Sequence, residues 1–255
     1  MDLEILGLLL LVAVAAGWVD AVVGGGGLLL LPALLVAAPH TPLPTLLGTN
    51  KLGAVFGTTS AAVAYARKVT IDREVVVPTA AAALLGSGLG AALATALTAD
   101  VLTPLIMVVL AGVALMVYFR PTMGNTEDPT LRTRNRVLAA IALAGLGVSF
   151  YDGLIGPGTG VFLIIAFTAV IGMDFVSASA SAKIVNVCTN VGAITVFALG
   201  GHVDWILGLG LAVCTIVGAQ IGARMALRRG SGFVRAVLLV VVLALLVRMG
   251  WDLLA

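Results

Sequence analysis

Four charged residues interrupt otherwise apolar stretches of this chain: Asp20, Lys51, Asp152 and Lys183. The two aspartates are 132 residues apart, and so are the two lysines. A charge enclosed in apolar surroundings is costly unless it finds a partner or changes its protonation, so such residues mark either chemistry or a buried ion pair. Two cations with few anions nearby suit an anionic solute. In the alternative, each lysine pairs with the aspartate of its own half and holds the fold. Asp20 and Asp152 carry a similar choice, between loading and unloading a proton and receiving backbone N–H groups as a cap. Thr49, Asn50, Thr58, Thr59 and Ser60 accompany Lys51, while Ser177, Ser179, Ser181, Asn186, Thr189 and Asn190 accompany Lys183. These groups suit an oxyanion as well as they suit contacts between helices.

Each aspartate precedes a glycine-rich break, Gly24-Gly25-Gly26-Gly27 in one half and Gly156-Pro157-Gly158-Thr159-Gly160 in the other. Glycine lets the chain unwind and approach a ligand, and Pro157 removes a backbone donor. A helix restarting after such a break presents open N–H groups and a positive dipole end, an ordinary means of holding an anion. No Gly-Lys-Ser/Thr follows the glycines, so the nucleotide-loop reading fails. The binding candidates are therefore Gly25, Gly26, Asn50 and Lys51 from the first half and Gly158, Thr159, Lys183, Asn186 and Asn190 from the second. Asp20 and Asp152 are candidates for proton coupling or gating.

The elements that position these residues must lie in a bilayer. Of the 255 residues 61% are hydrophobic and 10% charged, with a mean hydropathy of +1.18, whereas a soluble surface needs about a quarter charged residues. The net charge of +2 has no basic stripe behind it, which excludes a nucleic-acid partner. Cys188 and Cys214 sit in apolar runs and have only His40 and His202 to join them, so no disulfide framework, metal or other cofactor is expected. The histidines read as exposed turn residues, and Trp18, Trp205, Trp251 and Tyr118 as interfacial anchors, with packing beside Asp20 as the other reading for Trp18. Asp2 and Glu4 stand where a signal peptide would be positive, so the N-terminal run is read as part of the mature fold.

Apolar stretches cover residues 3–23, 27–38, 45–66, 75–97, 101–119, 137–154, 160–173, 176–199, 205–227 and 233–250. Several reach the roughly 20 residues a crossing helix needs, but 27–38 and 160–173 are too short. Abundant Ala and Gly favour close helix packing over strands. The polar run 120–136 is the one long interruption and reads as a cytoplasmic linker between membrane repeats 1–119 and 137–255. The 132-residue interval also pairs Gly24 with Gly156, Gly26 with Gly158, Asp72 with Asp204, Gly86 with Gly218 and Gly90 with Gly222, which indicates an internal duplication. Arg67, Lys68 and Arg73 mark one turn of the first repeat as cytoplasmic, while its counterpart Gly200–Asp204 carries no Lys or Arg. The bias then reverses between Thr98–Asp100 and the turn bounded by Arg224, Arg228, Arg229 and Arg235. The positive-inside rule makes the repeats inverted, with both termini outside. Residues 3–38 must then leave from and return to the outer side, as two thin crossings or a re-entrant hairpin. The fold class is an all-α polytopic membrane protein of two inverted repeats with Gly-broken helices or re-entrant hairpins, about 8–10 membrane segments in all.

The runs GWVDAVVGGGGLLLLPALL at 17–35, LLGTNKLGAVFGTTSAAVAYARK at 46–68, YDGLIGPGTGVFLI at 151–164, SASASAKIVNVCTNVGAI at 177–194 and GGHVDW at 200–205 resemble the TauE/SafE sulfite exporter family of membrane proteins. The resemblance covers nearly the whole chain. The family's Asn-Lys stands at Asn50-Lys51, while the second copy has Ala182-Lys183. The resemblance implies an integral plasma-membrane protein that moves sulfite or related sulfur-containing organic anions, with no ATPase subunit and no enzyme activity. The expected function is a secondary transporter exporting a small sulfur oxyanion by rocking one repeat against the other. A passive anion channel and a membrane-embedded Asp/Lys enzyme are the alternatives.

Overall fold

The structure is a computed structural model that describes residues 3–95 and 126–254, with side chains through Val240. The expected segment 101–119, with the anchor candidate Tyr118, lies outside what it describes, as does the side chain of the anchor candidate Trp251. The first repeat contains α1 (Leu3–Val23), α2 (Gly27–Ala37), α3 (Leu43–Ala66) and α4 (Arg73–Ala94). After a short 3₁₀ turn at Pro129–Leu131, the second contains α5 (Arg134–Leu154), α6 (Thr159–Ile171), α7 (Phe175–Leu199) and α8 (Trp205–Leu254). Within α8 the backbone at Gly230 is non-helical, with φ of 74°. The starts of α2, α3 and α4 at 27, 43 and 73 recur at 159, 175 and 205, the same 132-residue interval that pairs the charged residues.

Helices α1, α4, α5, α7 and the Trp205–Val240 part of α8 are long and apolar enough to cross a membrane. At 1.5 Å per residue α2 and α6 reach only about 16 and 20 Å, about half to two thirds of the hydrocarbon. Helix α3 has the length, but Thr49, Asn50, Lys51, Thr58, Thr59 and Ser60 make it the more polar one.

Packing is crossed between the repeats. Helix α1 lies along α8, and α5 lies along α4. A side chain at Gly218 or Gly222 would strike the backbone of Val14 or Trp18 on α1, and one at Gly86 or Gly90 would strike Gly145 or Phe150 on α5. These are interval-related contacts, and in lipid, where apolar burial between helices gains little, such backbone approach supplies the dispersion that joins them. Trp18 Nε1 donates to Met225 Sδ on α8 at 3.2 Å, and its ring meets Phe233 edge-on at 6.4 Å. Trp18 is therefore a packing residue on α8 rather than an interfacial anchor, because α1 is covered along this face. Trp205, at the start of α8, is exposed.

Helices α3 and α7 pass each other at the centre in opposite directions. Gly48, early in α3, lies against Phe197 and the His202 carbonyl at the far end of α7, and Thr49 Oγ1 accepts from Asp204 N at 2.9 Å. At the other end of the molecule the linker is tied to both repeats. Arg132 donates to Asp72 at 2.7 Å and to Glu74 at 3.1 Å, while Arg136 Nε donates to the Val170 carbonyl at 2.7 Å, capping the end of α6. Asp174 caps α7 by accepting from Val176 and Ser177 N–H groups. This end gathers Arg67, Lys68, Arg73, Arg132, Arg134 and Arg136; the opposite one has His40, His202 and Asp204.

Candidate functional site

The two breaks meet in the middle of the molecule. The backbone unwinds at Gly24, with φ of 78°, and at Gly156 and Gly158, with φ of 93° and 86°. Gly160 N donates to the Gly24 carbonyl at 3.1 Å, and a side chain at Gly24 would overlap the Gly160 backbone, so the first repeat's break can touch the second's only because both residues are glycine.

Lys51 and Lys183 each stand eight residues into their helices, α3 and α7, about 12 Å along the axis. Both are buried, and both are paired, but not within their own repeats. Lys51 Nζ lies 2.6 Å from Asp152 Oδ2, and Lys183 Nζ lies 3.2 Å from Asp20 Oδ2. The own-half pairing considered from the sequence is thereby corrected. Each break is pushed past the molecule's centre, so its aspartate arrives beside the other repeat's central helix. The Lys51–Asp152 side chains are 4% and 2% exposed, whereas Asp20 is 14% exposed and also accepts from Thr58 Oγ1 at 3.0 Å. Tyr65, buried on α3, donates to the Ala21 carbonyl at 3.1 Å and braces the turn of α1 after Asp20.

Between the pairs lies a buried cavity of about 20 Å³, room for roughly one water-sized centre. Asp20, Gly24, Gly27, Ala54 and Thr58 of the first repeat line it, and so do Asp152, Gly156, Thr159, Asn186 and Asn190 of the second. Every one of these ten matches another across the 132-residue interval. The remaining lining residues, Asn50 and Lys51, break the symmetry, since their counterparts Ala182 and Lys183 do not reach the cavity. Thr159 Oγ1 donates to the Gly156 carbonyl at 2.7 Å, and Asn190 Nδ2 donates to the Asn186 carbonyl at 2.8 Å. The Asn50 carbonyl oxygen, buried, has no hydrogen-bond donor.

Of the residues expected from the sequence, Asp20, Asn50, Lys51, Asp152, Thr159, Asn186 and Asn190 line this cavity. Lys183 is fully buried behind it on Asp20. Gly26 lines an adjoining cavity of similar size that shares Asp20, Gly27, Ala54 and Thr58. Gly25 and Gly158 are buried in the breaks, adjacent in sequence to the lining residues. The glycines on the cavity are Gly24, Gly27 and Gly156. These and Ala54 lie outside the candidates named from the sequence, although applying the interval to Thr159 and Asn186 leads directly to Gly27 and Ala54; Thr58, one of the polar groups accompanying Lys51, lines the cavity too.

Two open clefts approach from opposite ends. One, of about 690 Å³, is lined by His40, Thr49 and Asp204 among others. The other, of about 960 Å³, is lined by Arg67, Lys68, Arg73 and Ile184 among others. Thr49 immediately precedes Asn50 in the chain, and Ile184 immediately follows Lys183. Among the described residues no group of three or more His, Cys, Asp or Glu could hold a metal ion. Each lysine of the arrangement is paired with an aspartate of the other half.

Residues 9–249 match the family described as Sulfite exporter TauE/SafE. A probable membrane transporter protein ORF9 of Sinorhizobium is 37% identical, over 98% of this chain and 94% of its own length. The probable membrane transporter protein YfcA of Escherichia coli K12 is 35% identical, over 97% and 90%. A probable membrane transporter protein of Haemophilus influenzae is 30% identical, over 99% and 97%. No solved structure matches the chain.

Proposed function

Because the chain belongs to the TauE/SafE sulfite exporter family of membrane transporters and is a multi-pass protein of the bacterial plasma membrane, we propose that it is a secondary transporter exporting a small sulfur-containing oxyanion such as sulfite or an organosulfonate. The observation that carries this reading is the buried cavity built from interval-related residues of both repeats and flanked by two crossed Lys–Asp pairs. Lysines supply the cationic groups an anion needs, and the broken helices supply open N–H groups. The two halves, 1–119 and 137–255 with the linker 120–136 between them, act as inverted repeats that rock about this centre and expose it to one cleft at a time. The antiparallel passage of α3 and α7, and the gathering of Arg and Lys at the linker end, support the inversion. Asp20 and Asp152 serve as the proton-coupling groups: when an anion takes a lysine, the released carboxylate takes a proton, and the site stays neutral.

The test is flux in sealed liposomes with a panel of radiolabelled or mass-detected anions. Uphill sulfite movement under an imposed pH gradient is expected. Movement only down its own gradient would make the protein a channel, and chemical conversion of the solute would make it an enzyme. Asp20→Asn and Asp152→Asn should abolish gradient-driven accumulation while counterflow persists; unchanged accumulation in both would leave the carboxylates as structural partners. Cysteines placed at Thr126 and Arg229 should react with an impermeant reagent only from the cytoplasm, and one at Gly201 only from outside. Reaction of positions 126 and 201 from the same side would end the inverted-repeat reading.

A further inference from the structure

The sequence halves are copies, but their helices do not stay together. Helix α8 packs on α1 and α3, with α2 against α1 and α3, while α4 packs on α5 and α7, with α6 against α7. Each set therefore takes one helix from the other half. Within a set the helices interlock. Thr215 Oγ1 of α8 donates to the Gly53 carbonyl of α3 at 2.7 Å, and Gln220 Nε2 donates to Ser60 Oγ at 2.6 Å. In the other set Ser87 Oγ of α4 donates to the Thr189 carbonyl of α7 at 2.6 Å. A side chain at Gly153 on α5 or at Gly192 on α7 would overlap the backbone of α4. Such close backbone packing moves as one piece. The boundary between the sets is of another kind. It holds both ion pairs, Lys51 on α3 with Asp152 on α5 and Lys183 on α7 with Asp20 on α1, and also the Gly160–Gly24 hydrogen bond and the cavity of about 20 Å³. Parting there uncovers groups that water or an anion can satisfy. Among the described residues the chain passes from one set to the other at two turns, 67–72 after α3 and 200–204 after α7. The interval relates these turns, and the second contains Gly201, with φ of 72° and open space where a side chain would stand.

Resting on the oxyanion-transport reading, and assigning which helices travel together in it, we infer that the bodies that rock are the exchanged sets, α1–α2–α3–α8 and α4–α5–α6–α7. For α8 this covers Trp205 to Arg229, before the non-helical Gly230. The turns 67–72 and 200–204 are the hinges. Division in chain order would instead slide α1 off α8 and α4 off α5, against the glycine contacts that join them. Division by sets gives the crossing of the ion pairs a use. A pair of Lys51 with Asp20 would lie inside one set and stay shut through the motion, as would Lys183 with Asp152. The crossed pairs lie across the boundary, so parting the sets separates each lysine from its aspartate and frees it for an anion.

The test ties helices together with cysteine pairs in the full chain in sealed liposomes, after Cys188 and Cys214 are replaced by alanine. Gly53→Cys with Leu211→Cys joins α3 to α8, where a Cβ built at Gly53 lies 3.1 Å from Leu211 Cβ. Gly88→Cys with Val196→Cys joins α4 to α7, where a Cβ at Gly88 lies 3.8 Å from Val196 Cγ2. Each of these bridges links the two halves yet lies inside one set. Gly27→Cys with Pro157→Cys spans the boundary, where a Cβ at Gly27 lies 3.4 Å from Pro157 Cα. Loss of thiol labelling shows that a bridge has closed, a short bifunctional thiol reagent makes the tie where oxidation does not, and each oxidised sample is compared with itself after reduction. Oxidation should leave sulfite flux within about twofold for the two inner bridges and lower it at least about tenfold, reversibly, for the boundary bridge. Reversible loss at either inner bridge, or flux that survives the boundary bridge, would overturn the inference while flux in the reduced protein upheld the transport reading. Absence of sulfite flux in the unsubstituted protein would overturn that reading and the inference together.

Discussion

The two glycine-rich breaks occupy equivalent places and are built differently. In the second, Tyr151 OH donates to the Pro157 carbonyl at 2.7 Å and the Thr159 hydroxyl to the Gly156 carbonyl at 2.7 Å. The helix leading to it has a π turn at Leu143–Val148, with Ser149 Oγ donating to the Ala144 carbonyl at 2.7 Å. The first break has four glycines, no comparable side-chain tie, and a regular helix before it. Its aspartate is the more exposed and its Lys183 contact the longer. The two breaks are thus alike in placement and unlike in bonding. The GPGTG copy carries two side-chain ties across its break, while the GGGG copy lies beside Asn50 without one.

The contrast is testable by substitution, from severe effects to slight ones. Gly156→Ala should be the most damaging, since its Cβ would stand 2.7 Å from Lys51 Nζ at a residue with φ of 93°. Strain and a disturbed buried ion pair together should cost about 3 kcal/mol or more. Gly27→Ala meets only ordinary contacts, 3.4 Å to Pro157 Cα, and should stay within about 1 kcal/mol. Thermal unfolding in detergent compares them, and equal losses would show that neither the positive φ nor the Lys51 contact at Gly156 sets the cost.

Next come the lysines. Lys51→Ala strands a carboxylate that is almost wholly enclosed and should cost about 3–5 kcal/mol. Lys183→Ala should cost less, because Asp20 keeps some exposure and its Thr58 bond. Adding Asp20→Asn to Lys183→Ala should recover most of the lost melting temperature, as removal of both charges leaves none unpaired. Flux should fall in both alanine variants, and Lys51→Arg should restore it only in part because the guanidinium is larger and planar. If the two alanine variants melt alike, the pairs are equivalent after all. Thr58→Val removes one bond to a charged acceptor and should lower stability by about 1.5–3 kcal/mol. Arg132→Ala, breaking partly exposed contacts to Asp72 and Glu74, should cost no more than about 1 kcal/mol and serves as the lower mark of the scale.

Much of the architecture was legible because duplication leaves a ruler in the chain. The interval read from Asp20/Asp152 and Lys51/Lys183 also spaces the starts of α2 and α6, α3 and α7, α4 and α8. The short segments at 27–38 and 160–173 are recognisable by length alone. What the ruler cannot give is contact. It pairs residues that are equivalent, whereas the ion pairs join residues that are not, and the crossing arises from packing α1 on α8 and α5 on α4. Within the breaks, sequence marked glycine as a type. Which glycines line the cavity depends on the turn geometry, which favoured Gly24, Gly27 and Gly156 over their neighbours Gly25, Gly26 and Gly158. Trp18 looked like an anchor because its partners, Met225 and Phe233, lie some two hundred residues away along the chain.

The crossed packing also bears on how the protein is made. When the ribosome has released only the first half, α1 has no α8 to lie on, Asp20 has no Lys183, and Lys51 has no Asp152. The nascent half must wait in the bilayer with its polar centre unassembled until α7 and α8 emerge. The halves are repeats of a pattern but not units of folding. Each, expressed alone, should be degraded, whereas both produced together from a gene split in the linker should find one another and assemble.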